Sequence, residues 1–515
     1  MAVSRMSHVR RNIRSGAILK LITPITSFIT RTAMIYTLGN MYLGLNSLFI
    51  SMLEVLSLAE LGFGSAMIFS MYKPIAENDE ITVNALLRLY RSIQRIVGLV
   101  ILGAGLLLIP LLPRMIKGEV PEGINLTSLY LIRLFDICIG YFMFAYRTCL
   151  IDASQRTGIL QAITSLFKVI LCAVQVAVLY LFRNYYVFCL VIPAVHLVQQ
   201  FFSLYVSKRL FPQYRCMGDV SRDDRKDIYK RVTGLFLYKV SHVLRNSFDS
   251  IILSAFLGLE VLAKYHNYFV LVSTLIGITS ILTDGSLASI GNSIALEPKR
   301  KNYQDFCSFQ LLFMGISIVM CACMSCIIQP FIVFWVKEEN LMSDGLMLLF
   351  IVYFFTDRMG NICYQYRQAA GLWWEDRARP IVDGATNLLL NYLLVQYIGV
   401  AGVMLSTILC HVVIDTSWGA SILFRNYFTD EKQSHYVLRL LYFGAIAALS
   451  CFVSMSICKF VPSVGSNRFI SLVYMALRGV IATTVSIIFL LVFFSRLPEY
   501  KRAKGVVMKM IKRKI

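Results

Sequence analysis

Apolar runs of about 20 residues recur along the chain from residue 18 to residue 495, each long enough to cross a hydrocarbon core about 30 Å thick. Repeated at this density, such runs exclude a water-soluble core, because 57% of the 515 residues are hydrophobic and only 15% are charged. The fold class expected is an all-α polytopic membrane protein. Fourteen helices are expected near 18–39, 46–72, 96–113, 126–151, 159–182, 185–207, 232–257, 264–295, 306–335, 346–369, 380–398, 400–424, 437–459 and 468–495. The basic start MAVSRMSHVRRNIRSG precedes a segment with Lys20, Pro24 and Arg31 and no small-residue cleavage site, so it reads as a retained first helix.

Charge then orients the chain. The 50 Lys+Arg outnumber the 29 Asp+Glu, but the excess lies in short connections rather than on one patch, so no nucleic-acid partner is expected. With the N-terminus inside, the inner connections and the tail from 496 hold 33 Lys+Arg, counting Arg439 at the membrane edge. The outer connections hold seven: Arg114, Lys117, Arg183, Lys264, Lys337, Lys459 and Arg468. The positive-inside rule then puts both termini in the cytoplasm. The tail KRAKGVVMKMIKRKI reads as a surface helix for anionic lipids or as a topology signal. The thirteen cysteines sit mostly in apolar runs, CACMSC at 321–326 included, and are expected to pack as small hydrophobes.

The two halves carry related marks. Asp136, Tyr146–Arg147 and Arg156 are followed at offsets of 220–221 by Asp357, Tyr366–Arg367 and Arg377. The organisation expected is a six-helix lobe over 1–207, a cytoplasmic linker over 208–231, a second six-helix lobe over 232–424, and helices 13 and 14 with a basic tail over 425–515.

Ten basic residues fall inside helices, where each costs about 2.5–3.5 kcal/mol at mid-bilayer on insertion scales. Arg31, Lys168 and Lys239 have no acid three or four residues away. Asp136 and Arg147 share a helical face with Arg133, and Lys239, His242, Arg245 and Asp249 form a stripe on helix 7. Fixed cations in excess suit an anionic substrate, and arginine forks suit phosphate. The substrate-binding candidates are therefore Arg31, Arg133, Arg147, Lys168, Lys239, Arg245, Arg358 and Arg367. Arg358 and Arg367 point to opposite sides of an ideal helix, so at most one need serve a shared cavity. The bland alternative pairs these charges within helices, Asp136 with Arg133 and Asp249 with Arg245. Glu54, Glu60, Asp249 and Asp284 are the candidates for coupling to Na+ or H+, since burial raises a carboxyl toward neutrality. Glu60, in SLAELGFGSA, can instead cap loosened backbone amides. No nucleotide cradle, zinc-ligand spacing or nucleophile constellation occurs, so no cofactor and no enzymatic activity are expected.

LGLNSLFISMLEVLSLAELGFGSAMIFSMYKPIAENDE at 43–80 resembles the second-helix region of bacterial polysaccharide flippases, the O-antigen and capsule (Wzx-like) family. RPIVDGATNLLLNYLLVQYIGVAGVMLSTIL at 379–409 is similar to their eleventh and twelfth helices. That family belongs to the multidrug/oligosaccharidyl-lipid/polysaccharide exporter superfamily. The resemblance implies two helical bundles with a cationic cavity that flip an undecaprenyl-diphosphate-linked oligosaccharide across the bacterial cytoplasmic membrane by rocking, or alternating access. It also implies polysaccharide polymerase machinery as a partner, and it carries over no particular arginine. A lipid II flippase and a cation-coupled multidrug exporter share the fold and are the alternatives. A membrane glycan polymerase fits less well, because the outer loops are too short for a catalytic face.

Overall fold

A computed structural model describes residues 2–60, 63–222, 225, 226, 228, 247–462, 465, 467–502, 504 and 505. Among them every regular element is helical. Ten helices are long and apolar enough to cross a membrane, or eleven when a bent pair is taken as one span. The chain is a multi-pass membrane protein.

The elements are α1 (Ala2–Thr37), α2 (Asn40–Leu56), α3 (Phe63–Glu77), α4 (Glu80–Leu108), α5 (Leu126–Phe142), α6 (Ala145–Ala153), α7 (Thr157–Phe182), α8 (Tyr185–Leu210) and α9 (Ser247–Leu257). They continue with α10 (Leu259–Leu296), α11 (Lys299–Val336), α12 (Asp344–Met359), α13 (Asn361–Ala369), α14 (Ala378–Ile398), α15 (Val400–Cys410), α16 (Gly419–Asn426), α17 (Gln433–Cys458) and α18 (Arg468–Phe494). These cover the expected spans, several of which begin earlier than expected, α1 at Ala2 rather than 18. α4 begins at Glu80 rather than 96, because the Asp79 carboxylate caps it by accepting from the Thr82 N–H at 3.0 Å. α11 begins at Lys299 rather than 306, following Pro298 at its N-cap. The seventh expected helix is described only over α9, so Lys239, His242 and Arg245 lie outside the described residues.

Several spans are broken. The second pauses in a 3-10 turn at Ser57–Glu60, where the expected loosening of the helix occurs. α5 and α6 meet at a 52° bend. α12 and α13 are separated at Gly360. Between α15 and α16 lies a π-helical segment, His411–Trp418. In hydrocarbon every freed amide must find a partner inside the protein, so such breaks persist only where side chains or neighbouring helices supply one.

The chain divides into two compact units, Met1–Ala263 and Lys264–Ile515. In the first, α1 packs along α7, and α5 packs against α4 and α8. Gly105 lets α4 meet Leu134 of α5 so closely that a Cβ there would stand 2.4 Å from a leucine methyl. Phe211 and Tyr214, in the segment expected to be a linker, are buried with Tyr90, Tyr146 and Leu150 in one apolar cluster. In the second, α11 packs on α12, α17 and α18, and an aromatic core joins Phe306, Tyr366, Phe424, Phe428 and Tyr436. All thirteen cysteines are free thiols. Cys321 and Cys326 of the CACMSC run are buried in α11.

Candidate functional site

In the first unit α1 and α7 share a seam of polar side chains. Lys168 of α7 donates its Nζ to Thr23 Oγ1 at 2.9 Å, and Thr30 donates to Cys172 Sγ at 3.5 Å. Arg31 follows Thr30 on this seam and is half-buried. The cation without an acid on its own helix thus finds a hydroxyl on the next one.

Arg133 and Arg147 belong to the bent pair α5–α6, and both are buried. Arg133 lies close enough to Tyr185 and Cys189 of α8 to act on both electrostatically. Its Nε has no hydrogen-bond partner among the described residues. Nor do Nε and Nη1 of Arg147, although the Arg147 carbonyl accepts from Ser207 at 3.3 Å. Buried guanidinium N–H groups left open are rare, because each costs desolvation without return.

The acids are placed differently from the expectations. Asp136 does not pair with Arg133; it meets His196 of α8, Oδ1 to Nδ1, at 2.6 Å. Glu60 meets side chains of two neighbouring helices. It accepts from the Tyr141 hydroxyl at 2.7 Å and from Gln94 Nε2 at 3.3 Å, which ties the 3-10 turn to α4 and α5. Glu54 accepts from Ser247 of α9 at 3.0 Å and is itself exposed. Asp249, on α9, is buried, while the Arg245 expected to pair with it is outside the described residues.

In the second unit the two arginines of the tenth span are both engaged. Arg358 donates its Nε to Asp357 at 2.7 Å and its Nη1 to Thr279 and Ser280 of α10 at 3.1 Å each. Arg367 lies 3.6 Å from Asp376, which Arg379 also grips at 2.6 Å. Asp415, in the π-helical segment, completes this network through Arg379. Arg367 packs so tightly on α16 that a Cβ on Gly419 would stand 2.3 Å from its Nη1. Asp284 lies in α10. The Tyr–Arg marks of the two halves both fall in a nine-residue helix beyond a break, near the start of α6 but toward the end of α13, and among the described residues both arginines are buried with Nε and Nη1 outside any hydrogen bond.

Sequence reasoning missed His196, Tyr141, Gln94, Asp376, Arg379 and Asp415. Two had a usable signal, since His196 and Asp415 are ionisable side chains within largely apolar runs. Elsewhere α11 and α18 bound an apolar cleft of about 330 Å³, lined by Leu311, Gly315 and Phe494 with Tyr500 and Lys504 at its edge. Among the described residues no group of His, Cys, Asp and Glu could hold a metal ion.

No protein-family model matches the sequence, and no curated protein matches it. Solved structures do match in fold. The chain superposes on the lipid II flippase MurJ, in an inward closed conformation, with a TM-score of 0.66 at 14% identity, over 93% of this chain and 99% of that one. It matches an inward-facing multidrug resistance MATE family transporter of the MOP superfamily with a TM-score of 0.59 at 15% identity, over 79% and 97%. A mutant of the Vibrio cholerae MATE transporter VcmN gives 0.56 at 14% identity, over 84% and 99%. At these identities the likeness is one of fold, and that fold spans nearly the whole of each neighbour.

Proposed function

We propose that the protein is a flippase of the polysaccharide-exporter kind. It carries an undecaprenyl-diphosphate-linked oligosaccharide from the cytoplasmic to the outer leaflet of a bacterial inner membrane, with both termini in the cytoplasm. One observation carries the reading: Arg133 and Arg147 present buried N–H groups that no acceptor among the described residues satisfies. A diphosphate supplies such acceptors, and a fork of parallel N–H bonds fits its oxygens. Lys168 and Arg31, in the same unit, add charge along α1 and α7. Lys239 and Arg245 remain members of the proposed set by sequence.

The mechanism is electrostatic capture followed by alternating access. The diphosphate replaces water at the guanidinium groups, the glycan stays hydrated, and the polyprenyl tail stays in lipid. Arg358 contributes differently from the first expectation: Asp357, Thr279 and Ser280 engage it, so it holds α12 to α10 rather than awaiting a ligand. Arg367 keeps its place in the proposed set, since its Nε and Nη1 lie outside any hydrogen bond among the described residues although Asp376 is 3.6 Å away. Anionic lipids bind the basic tail, and polysaccharide polymerase machinery would receive the product. Glu54, Glu60, Asp249 and Asp284 remain candidates for ion coupling.

A lipid II flippase is the second reading, favoured by the MurJ match over 93% of the chain. Both substrates share the diphosphate. A cation-coupled drug exporter would call for a site of the opposite charge. The test is the lipid-linked glycan that accumulates when the gene is deleted, followed by flipping of that compound in proteoliposomes. Accumulation of lipid II alone would select the second reading, and accumulation of neither would reject both.

A further inference from the structure

Three contacts tie α5 and α6 to α8 like rungs. The Asn125 N–H donates to the Tyr186 hydroxyl at 2.7 Å, Asp136 meets His196 at 2.6 Å, and Ser207 donates to the Arg147 carbonyl at 3.3 Å. Positions 125, 136 and 147 thus meet 186, 196 and 207 at nearly equal intervals, so the bent pair runs beside α8 for nearly its whole length. At 1.5 Å per residue the first and last rungs stand about 32 Å apart, close to the thickness of a hydrocarbon core.

The two arginines with open N–H groups belong to different ends of this ladder. Arg133 acts on Tyr185 and Cys189 in the first turns of α8, whereas Arg147 is itself the last rung. From Cys189 to Ser207 the helix rises about 27 Å. A diphosphate is two phosphorus centres sharing one oxygen, far shorter than that gap. One headgroup cannot satisfy both arginines at once.

Each end has a second donor. The Tyr185 hydroxyl, beside Arg133, is buried and lies outside any hydrogen bond among the described residues. Its neighbour Cys189 offers only a weakly accepting sulfur. A buried hydroxyl and a buried guanidinium N–H that both lack an acceptor mark a place where an acceptor belongs. At the other end Arg91 of α4 lies over the Tyr146 ring at 5.6 Å, and Arg91 and Arg147 both act on Cys216. Lys168 falls between the two. Counted from the turn that joins α7 at Phe182 to α8 at Tyr185, it is about 21 Å down α7, against about 33 Å down α8 for Ser207.

We propose that the first unit holds two successive diphosphate stations: Arg147 with Arg91 at one end of the span, and Arg133 with Tyr185 near the other. This rests on the diphosphate substrate proposed above. The order follows from the chain. α6 leads within four residues into α7, where Gln161 packs so close to Gly16 of α1 that a Cβ there would stand 3.2 Å from it. Arg147 therefore lies at the end from which the N-terminal helix enters. With that terminus in the cytoplasm, Arg147 and Arg91 receive the headgroup, and Arg133 and Tyr185 hold it before release. Dividing the charge keeps each station weak enough for the headgroup to leave, as passage through successive sites requires. The affinity lost with either arginine is then the affinity of one station.

The experiment uses the full chain in detergent, without native cysteines, carrying one nitroxide at Leu190→Cys or at Tyr205→Cys. Both side chains are exposed, the first beside Cys189 and the second near Ser207. Farnesyl diphosphate is the probe. Relaxation of its phosphorus signals by the nitroxide falls steeply with distance, so it reports which label the headgroup approaches. In the parent chain both labels should relax the probe. R147A should weaken binding at the Tyr205 label about ten- to a hundredfold and leave the Leu190 label unchanged, and R133A should do the reverse. Y185F, which removes only an unsatisfied hydroxyl, should weaken binding at the Leu190 label about tenfold with an unchanged thermal transition. R147K and R133K replace any Ala variant that does not fold, with smaller losses at the same labels. Relaxation by one label alone, or an arginine variant that weakens both labels equally, overturns the two stations and leaves the diphosphate reading standing. Relaxation by neither label in the folded parent chain overturns that reading and the stations with it. An unaltered response at the Leu190 label in Y185F overturns the part given to Tyr185.

Discussion

Tyr141 of α5 donates its hydroxyl to Glu60 at 2.7 Å, fastening the interrupted second span to the fourth. Among the described residues Glu60 has one other hydrogen bond, from Gln94. The carboxylate thus replaces, with side-chain contacts, the continuity that the backbone gives up at the 3-10 turn.

The Y141F variant removes the stronger of these bonds and keeps the ring. A hydrogen bond to a charged group contributes about 1.5–3 kcal/mol, so the thermal transition of the detergent-solubilised protein should fall measurably. Glu60→Gln should cost less than Y141F, because it also removes the ionised carboxylate that would be left short of donors. An unchanged transition in Y141F would mean that the contact contributes nothing to the fold.

Arg379 stands between two acids, Asp376 at 2.6 Å and Asp415. Its replacement by Ala leaves those carboxylates buried or half-buried with less compensation, and breaking a buried pair in this way costs about 3–5 kcal/mol. R379A should therefore lower the yield of folded protein, read by fluorescence size-exclusion chromatography, and adding D415N should restore part of it. Equal yields of R379A and the double variant would exclude the charge imbalance as the cause.

These two contacts mark where the sequence is legible. Hydropathy locates the spans because hydrocarbon imposes a minimum length and a composition on each of them. A cation alone on its helix is legible too: Lys168 has no acid three or four residues away, and it meets Thr23 of α1 instead. Partnership across helices is not. Arg133 and Asp136 are three apart and look like a pair, yet Asp136 meets His196, sixty residues away. Arg367 looks like a free cation, yet the loop before α14 brings Asp376 to it, and the π-helical turn brings Asp415 to Arg379. Packing between elements decides these meetings, and a helical wheel describes one helix alone.

Orientation is open to a direct check. Asn125 and Ser343 cap α5 and α12 and should face outside, whereas Ser221 and Asp430 should face the cytoplasm. Single cysteines at these positions, in a chain without native cysteines, report through an impermeant thiol reagent. In intact cells the first two should label and the last two should not. Labelling at Ser221 would invert the topology. Asn125→Cys removes a helix cap worth about 1 kcal/mol, so its labelling is read against the amount of folded protein.

The reading of Arg133 and Arg147 as diphosphate ligands makes a demand that a structural role does not. Their open N–H groups are already paid for in the fold, so truncation to Ala removes a desolvation cost as well as a charge. Each Ala variant should retain the wild-type thermal transition to within about 1 kcal/mol of stability, yet bind a polyprenyl diphosphate about ten- to a hundredfold more weakly, the equivalent of one charge-assisted hydrogen bond at about 1.5–3 kcal/mol. Lys at either site keeps the charge and loses the fork, so it should recover only part of the affinity. Arg358→Ala serves as the contrast. That side chain is fully engaged by Asp357, Thr279 and Ser280, so its loss should lower stability and leave binding per folded molecule unchanged. The measurements are ligand-induced thermal shift and flipping in proteoliposomes, each normalised to folded protein. If the Arg133→Ala, Arg147→Ala double variant binds and flips normally, the two arginines are not the substrate's ligands. If instead it unfolds like Arg358→Ala, they hold helices together, and the anionic site must be built from Arg31, Lys168, Lys239 and Arg245.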